Sequence, residues 1–188
     1  MAALLEPTDR AFDDLEQLLS PDEVVALIVG MQAPIPIGWT VLTEMLLDQM
    51  VHLGGALPEE SYTELGPEDL EDMLALTALT EPGPFRKRTP EMGRYIGIRS
   101  EDGRLAAMAG ERLKPIGFTE VSAVCTHPDF RGRGYAGRLI QSIVNGIHAS
   151  GETPFLHVKD DNQPAKKVYF KLGFELRKQV KLTVLKRG

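Results

Sequence analysis

The sequence has a single cysteine, Cys125, among its 188 residues. An intramolecular disulfide is therefore excluded, and with it the class of disulfide-stabilised secreted domains. The N-terminus carries acidic residues where a secretory signal peptide would carry basic ones. No apolar run reaches the roughly 18 residues of a membrane span, because Gln32, Pro34 and Pro36 interrupt the longest one. We therefore expect a protein of the reducing cytoplasm that crosses no membrane.

Basic residues are almost missing from the first part of the chain. Residues 1–83 contain one, Arg10, against 17 acidic residues, whereas residues 84–188 contain 20 basic and 10 acidic residues. The basic part favours an anionic ligand, and the acidic part could attract a cationic one. The net charge is −6 and no aromatic-basic recognition motif is present, so no nucleic-acid partner is expected.

The four histidines show no spacing typical of a metal site, so no metal is predicted. Cys125 could carry an acyl group, with His127 two residues further on. No third residue that would orient this pair is evident, and we interpret Cys125 as a small buried apolar side chain.

The pattern before Glu60 is weak, with an acidic helix near residues 11–19 and two apolar segments of undecided type at 24–29 and 39–53. We predict an N-terminal elaboration over residues 1–60, packed on a main domain over residues 61–188. A helix should begin within the segment 65–69, with a proline near the first helical position and acidic residues in the first turn.

The main domain then continues with strands. Segments 94–99, 105–113 and 118–126 are joined by turn signals at Asp102–Gly103 and at 115–117, which predicts an antiparallel meander. On the third strand, strict alternation would place Glu120, Ser122, Val124 and Thr126 on one face. A helix with apolar residues from Ala136 to Ile147, a strand at 154–158, a helix after Asn162 and a strand at 174–185 complete the order.

A glycine-rich turn lies between the meander and its helix. Gly132, Gly134 and Gly137 satisfy G-x-G-x-x-G, which is typical of nicotinamide-binding proteins, but the preceding strands are hairpin-joined and five residues separate Thr126 from Gly132. A helix N-terminus still favours an anion. Three arginines within eight residues, Arg131, Arg133 and Arg138, point to a phosphate ligand.

Two segments resemble signatures of the GNAT N-acetyltransferase superfamily. The segment "VCTHPDFRGRGYA" is similar to its acetyl-coenzyme A loop, R/Q-x-x-G-x-G/A, with Arg131, Gly134 and Ala136 at the motif positions. The segment "NQPAKKVYFKLGF" is similar to its second signature, N-x-x-A-x-x-x-Y-x-x-x-G-F. That signature is carried by Asn162, Ala165, Tyr169, Gly173 and Phe174. The resemblance covers residues 62–185 and leaves the first sixty unexplained.

The resemblance implies an α/β (α+β) fold: a mixed, largely antiparallel sheet flanked by helices and splayed between its two central strands. It also implies that acetyl-coenzyme A inserts at this splay as co-substrate. The cofactor-binding residues would be Val124, Cys125, Thr126, Arg131, Gly132, Arg133, Gly134, Tyr135, Ala136, Asn162 and Lys166.

Two residues are candidates for the chemistry of amine acetylation. A tyrosine at the place of Tyr169 is often the general acid in the family, although its position on an apolar helix face also fits a core residue. Glu120 begins the strand that would hold the thioester, and many family members carry a glutamate base near this place. An exposed glutamate at a strand end is the competing interpretation.

The sequence thus predicts an acyltransferase that moves an acetyl or related acyl group from acetyl-coenzyme A to a primary amine of a small molecule or peptide. A homodimer is left open. Two alternatives remain at this point: a non-catalytic coenzyme A-binding regulatory module and a nicotinamide-binding oxidoreductase.

Overall fold

A computed structural model of the chain describes residue 4 and residues 6–20, 22–29, 34–58 and 61–188. Over these residues the chain forms four α-helices and eight strands. The helices are α1 (Asp9–Gln17), α2 (Leu70–Thr80), α3 (Tyr135–Ala149) and α4 (Gln163–Lys171). The strands are β1 (Val24–Val29), β2 (Trp39–His52), β3 (Thr63–Glu64), β4 (Tyr95–Arg99), β5 (Leu105–Glu111), β6 (Phe118–Thr126), β7 (Thr153–Lys159) and β8 (Phe174–Arg187).

The chain divides into two compact units. One comprises residues 1–49, 158–163 and 176–188, and the other comprises residues 50–157 and 164–175. The two apolar segments of undecided type, at 24–29 and 39–53, are strands β1 and β2. The predicted division at residue 60 stays a prediction.

The first unit is built around β8, which lies between β1 and β2. Strand β8 pairs antiparallel with β1, from Val24 opposite Lys186 to Val29 opposite Lys181. The hydroxyl of Thr8 accepts a hydrogen bond from the Ala11 N–H and so caps α1. One core cluster of this unit consists of Phe12, Leu15, Val25, Leu27 and Leu185, and a second consists of Leu47, Val180 and Leu182.

The second unit confirms the predicted meander. Strands β4, β5 and β6 pair antiparallel in sequence order, and β3 adds a short edge beside β4. Helix α2 packs on one face of this sheet, where Met73 and Leu76 meet Tyr95, Met108 and Cys125. Helix α3 contacts the same three strands and buries its row of leucine, isoleucine and valine side chains.

The strict alternation predicted along β6 is wrong beyond Ser122. Ser122 lies opposite Gly110 and Cys125 opposite Met108, so three steps on β6 match two steps on β5. Ala123 has a φ of 51°, and the extra residue forms a β-bulge. Ser122 and Cys125 therefore share the face that α2 covers, and Val124 no longer shares a face with Glu120.

The parallel pairing of β6 with β7 is short. It joins Phe118–Glu120 to Thr153–Phe155 and ends there, just before the bulge. Beyond this point the β7 side of β6 carries backbone groups that this pairing does not use. The expected mixed, largely antiparallel α/β architecture with a splay at its centre is confirmed. Among the described helices, none combines the length and apolar character needed to cross a membrane.

Candidate active site

The glycine-rich turn has the geometry of an anion-binding helix start. Gly132 and Gly134 have φ values of 79° and 78°, a left-handed conformation that strongly favours glycine. A Cβ added at either position would meet no atom within 4 Å, so the backbone is open to a ligand. The Arg138 N–H makes the first bond of α3, to the Gly134 carbonyl, and the N–H groups of Tyr135 and Ala136 lie before it. The open backbone and the free N–H groups at this helix start favour an anion.

The arginines of this turn differ in their surroundings. Arg131 and Arg133 are exposed, and the Arg133 guanidinium lies over the Phe130 ring at 5.2 Å. Arg104 also lies next to this turn. Its guanidinium carbon is 4.9 Å from the centroid of the Phe130 ring, and one of its nitrogens is 3.1 Å from the Asp129 carboxylate. Arg104 is neutralised by Asp102 and Asp129, so the positive charge at this turn is that of the exposed Arg131 and Arg133, which favours an anion.

Glu120 lies at the point where β6 and β7 separate, and it is buried, with 1% of its side chain exposed. The competing interpretation as an exposed strand-end glutamate is therefore wrong. Arg112 donates two hydrogen bonds of 2.9 Å to its carboxylate, and His157 Nδ1 donates a third of 2.8 Å. Burial raises the pKa of Glu120, but these bonds outweigh it and hold that pKa below its ordinary value.

Tyr95 lies on the same sheet face as Arg112 and Glu120, two strands away from β6. Its side chain is 2% exposed, and its hydroxyl has no hydrogen-bond partner among the described residues. Burial raises the pKa of this phenol to about 12. Together Tyr95, Arg112, Glu120 and His157 form a polar row across the sheet, next to the bulge.

The predicted thioester-holding residues lie directly after the bulge. Cys125 and Thr126 pair with β5 through Met108 and Ala107, which leaves their other backbone edge toward the splay. The Cys125 side chain is buried on the α2 face, and burial raises the pKa of its thiol to about 11. A thiol with that pKa is protonated at neutral pH and a poor nucleophile, which agrees with the interpretation as a buried apolar residue.

The residues of the second signature lie in and beside α4. Tyr169 is buried, its ring meets Phe174 edge-on at a centroid distance of 5.8 Å, and burial raises its pKa to about 12. Lys166 is half-buried on the same helix. Asn162 is exposed in the turn before α4, where its N–H bonds the Lys159 carbonyl.

The buried His52 pairs with the half-buried His148 in this unit. His52 Nδ1 lies 2.9 Å from His148 Nε2, and the His52 ring meets the Phe174 ring edge-on at 5.2 Å. Burial and then the charge of His148 lower the pKa of His52. No cluster of three or more metal-ligating side chains occurs among the described residues.

Comparison with known proteins identifies the class to which this fold and site belong. The family model described as FR47-like protein matches residues 95–182. A solved structure assigned to the GNAT acetyltransferase family, from Novosphingobium aromaticivorans, is 37% identical, with a TM-score of 0.86 over 93% of this chain and 79% of that one. A comparison with curated proteins gave no match.

More distant structures share the fold. A GCN5-related N-acetyltransferase from Kribbella flavida has a TM-score of 0.61 at 20% identity, over 99% of this chain and 77% of that one. A GNAT-family acetyltransferase from Colwellia psychrerythraea has a TM-score of 0.64 at 14% identity, over 87% of this chain and 65% of that one. The 37% identity to the Novosphingobium structure establishes that the chain belongs to the GNAT family of acetyltransferases.

Sequence reasoning missed three members of the polar row: Tyr95, Arg112 and His157. The sequence predicts the turn at 115–117, and counting outward from that turn places Arg112 opposite Glu120, so the sequence contains the signal for this ion pair. The sequence carries no comparable signal for His157 or Tyr95. Their positions depend on the parallel register of β7 and on the choice of neighbours for β4.

Proposed function

We propose that this GNAT-family protein transfers an acetyl or related acyl group from acetyl-coenzyme A to a primary amine of a small molecule or peptide. The observation that carries the proposal is the order of three structural features along β6: the end of its pairing with β7, its bulge and the glycine turn that follows it. The strand leaves β7 after Glu120, bulges at Ala123 and leads into the open glycine turn at the start of α3. An extended chain that ends in a pyrophosphate complements this arrangement.

Binding of the co-substrate would use mainly backbone groups. The free edge of Val124, Cys125 and Thr126 would bond the amide groups of the pantetheine arm, as a further strand bonds a sheet edge. The N–H groups from Arg131 to Ala136 would bond the pyrophosphate, with Arg131 and Arg133 adding positive charge. Asn162 and Lys166 are proposed to contact the pantetheine arm and the phosphates.

Tyr169 is proposed as the general acid. Acetyl-coenzyme A supplies a thioester carbonyl, which the neutral amine attacks, and the carbon–sulfur bond then breaks. A thiolate whose conjugate acid has a pKa of about 8.5 takes a proton readily from a suitable donor. Tyr169 carries its proton at neutral pH, but burial raises its pKa to about 12 and so makes it a weaker acid than the thiol. Its Oη would therefore donate the proton while the carbon–sulfur bond breaks and negative charge develops on the sulfur.

Glu120 is proposed as the proton acceptor for the amine, directly or through water. Its contacts restrict which amines it can serve, because a carboxylate with a lowered pKa is a weak base. Deprotonating a lysine-like amine of pKa about 10.4 costs about 4.6 kcal/mol at pH 7, whereas an α-amine near 7.8 costs about 1 kcal/mol. The site therefore favours an acceptor of the second kind.

The test is release of free thiol from acetyl-coenzyme A with a panel of amines: amino-acid amides, short peptides, polyamines and aminoglycosides. We expect turnover with at least one α-amine, and binding of acetyl-coenzyme A that weakens as salt screens the arginines. Binding without turnover across the panel would favour a regulatory coenzyme A-binding module. Tighter binding of NADH than of acetyl-coenzyme A would favour an oxidoreductase.

The proposed location is the cytoplasm, where a reduced Cys125 would persist.

A further inference from the structure

The ring of Tyr95 fills a space that a glycine on the neighbouring strand leaves open. It lies over Gly110 on the neighbouring strand, where a Cβ would come within 2.3 Å of the ring. Phe85 also meets the ring edge-on at a centroid distance of 5.7 Å. The ring therefore packs against both residues, and a larger residue at position 110 would displace it.

The hydroxyl at the end of this ring is unusual. A buried hydroxyl without a hydrogen bond is destabilising by about 1–3 kcal/mol, so native proteins rarely retain one without a function. The hydroxyl of Tyr95 has no partner among the described residues, although the aromatic ring itself is tightly packed. A phenylalanine at position 95 would pack in the same space without burying an unpaired hydroxyl.

The surroundings of the hydroxyl connect it to the site described above. The charges that act on Tyr95 are those of Arg112, Glu120 and Glu111. Tyr95 also belongs to the same packed cluster as Ala123, the bulge residue, and Cys125, one of the proposed thioester-holding residues. Phe85 lies in the segment between α2 and β4.

We infer that Tyr95 is a specificity-determining residue, whose hydroxyl donates a hydrogen bond to an oxygen atom next to the acceptor amine. This inference rests on the proposed acetyltransferase function. It predicts that the acceptor is an α-amine with a neighbouring carbonyl oxygen, such as an amino-acid amide or a peptide N-terminus.

Two independent features favour this class over a simple alkyl amine. The Tyr95 hydroxyl is a hydrogen-bond donor without a partner among the described residues, so an oxygen that accepts a hydrogen bond is its complement. A neighbouring carbonyl also lowers the pKa of an amine, which suits the weak base that Glu120 provides.

The experiment compares Tyr95→Phe with wild type on three probes: glycinamide and glycylglycinamide, which carry the oxygen, and n-propylamine, which lacks it. Wild type should prefer the amides, and Tyr95→Phe should raise the KM for the amides about tenfold, as expected for one lost hydrogen bond. The KM for n-propylamine and for acetyl-coenzyme A should stay unchanged. An equal effect on all three amines, or none, would overturn the inference.

A stability measurement tests the hydroxyl without any substrate. Because it lacks an internal partner, Tyr95→Phe should keep or raise the Tm of the ligand-free protein. The matched control is Tyr62→Phe, since the Tyr62 hydroxyl is exposed and accepts a 2.6 Å hydrogen bond from Arg94. A larger fall in Tm for Tyr95→Phe than for Tyr62→Phe would show that the hydroxyl is bonded inside the protein, and the inference would fail. If wild type acetylates no amine of the wider panel, the proposed function fails instead.

Discussion

At the scale of single residues, Tyr169 is the position where packing and chemistry are hardest to separate. Its ring packs against Phe174 and is buried, as a core residue would be. Tyr169→Phe keeps the ring and removes only the hydroxyl, so the fold and the affinity for acetyl-coenzyme A should persist. If the hydroxyl donates the proton, kcat should fall roughly 10²- to 10⁴-fold.

Steady-state kinetics on any accepted amine, together with a melting curve, measures this effect. Tyr62→Phe serves as the control for the loss of a tyrosine hydroxyl elsewhere and should retain full turnover. Wild-type kcat in Tyr169→Phe would leave water or the amine itself as the proton source.

The pair of Arg112 and Glu120 predicts a large stability effect at one position. Removing Arg112 leaves the buried Glu120 carboxylate with His157 as its remaining partner among the described residues. Arg112→Met should therefore lower the free energy of unfolding by about 3–5 kcal/mol. Arg112→Lys keeps a charge but loses the two-bond geometry, so its effect should be smaller.

Urea denaturation provides the measurement, and an exposed pair in the same chain provides the control. Arg88 binds Glu91 with similar geometry, but their side chains are 86% and 59% exposed. Arg88→Met should change stability by no more than about 1 kcal/mol. Equal losses for both arginines would mean that burial does not govern the strength of the Arg112–Glu120 pair.

At the scale of elements, the start of α3 predicts a separation of binding from stability. Gly134→Val places a β-branched residue at a φ of 78° and blocks the open face of the turn. We expect a loss of about 1–3 kcal/mol in stability from backbone strain, and a loss of acetyl-coenzyme A affinity of roughly tenfold or more because the backbone approach is obstructed.

The other end of the same helix supplies the matched variant. Gly151 follows α3, has a φ of 76° and also has no atom within 4 Å of a Cβ position. Gly151→Val should cost similar stability and leave binding intact. Calorimetric titration of both variants with acetyl-coenzyme A tests the difference, and equal affinities would mean that the turn at Gly134 does not hold the phosphates.

The elements also show why sequence reasoning succeeded in the second unit and stopped short in the first. The meander and α3 have short turns and a clean apolar period, so local sequence determines their type and order. Strand β2 has exposed side chains from Thr40 to Glu44 and buried ones at Leu47 and Asp48, so no single period describes it. The bulge at Ala123 has no sequence signal, because it depends on how β6 pairs with β5.

The same reasoning applies to the candidate site. The glycine turn and the second signature are contiguous segments, and their motifs are readable without a structure. The polar row is assembled from four different strands, with one residue from each or from the segment that follows it. Its members are ordinary residues in the sequence and become a cluster only through strand order.

At the scale of the whole molecule, the His52–His148 pair predicts that stability declines on mild acidification. In the folded state the pKa of His52 lies below 6.5, so below pH 6.5 the unfolded chain binds a proton that the folded protein does not. The stability contributed by neutral His52 is present above pH 6.5 and is lost as the pH falls, with a slope of at most about 1.4 kcal/mol per pH unit.

Urea denaturation between pH 5 and pH 8 checks this, with His52→Gln as the comparison. The variant cannot take up the proton, so its stability should depend less on pH between 5 and 6.5. Parallel curves for the variant and wild type would assign the pH dependence to other groups.

The pairing of β1 with β8 has a consequence for synthesis of the chain. Val24 of β1 lies opposite Lys186 of β8, so residues that pair in the sheet are about 160 positions apart in the chain. A ribosome working at about 5–20 residues per second needs roughly 10–30 s to synthesise the intervening residues. Throughout this interval β1, with its run of valine, leucine and isoleucine, has left the ribosome without its partner. A segment made early is therefore among the last to fold, and it is the part of the nascent chain that most needs shielding from other chains.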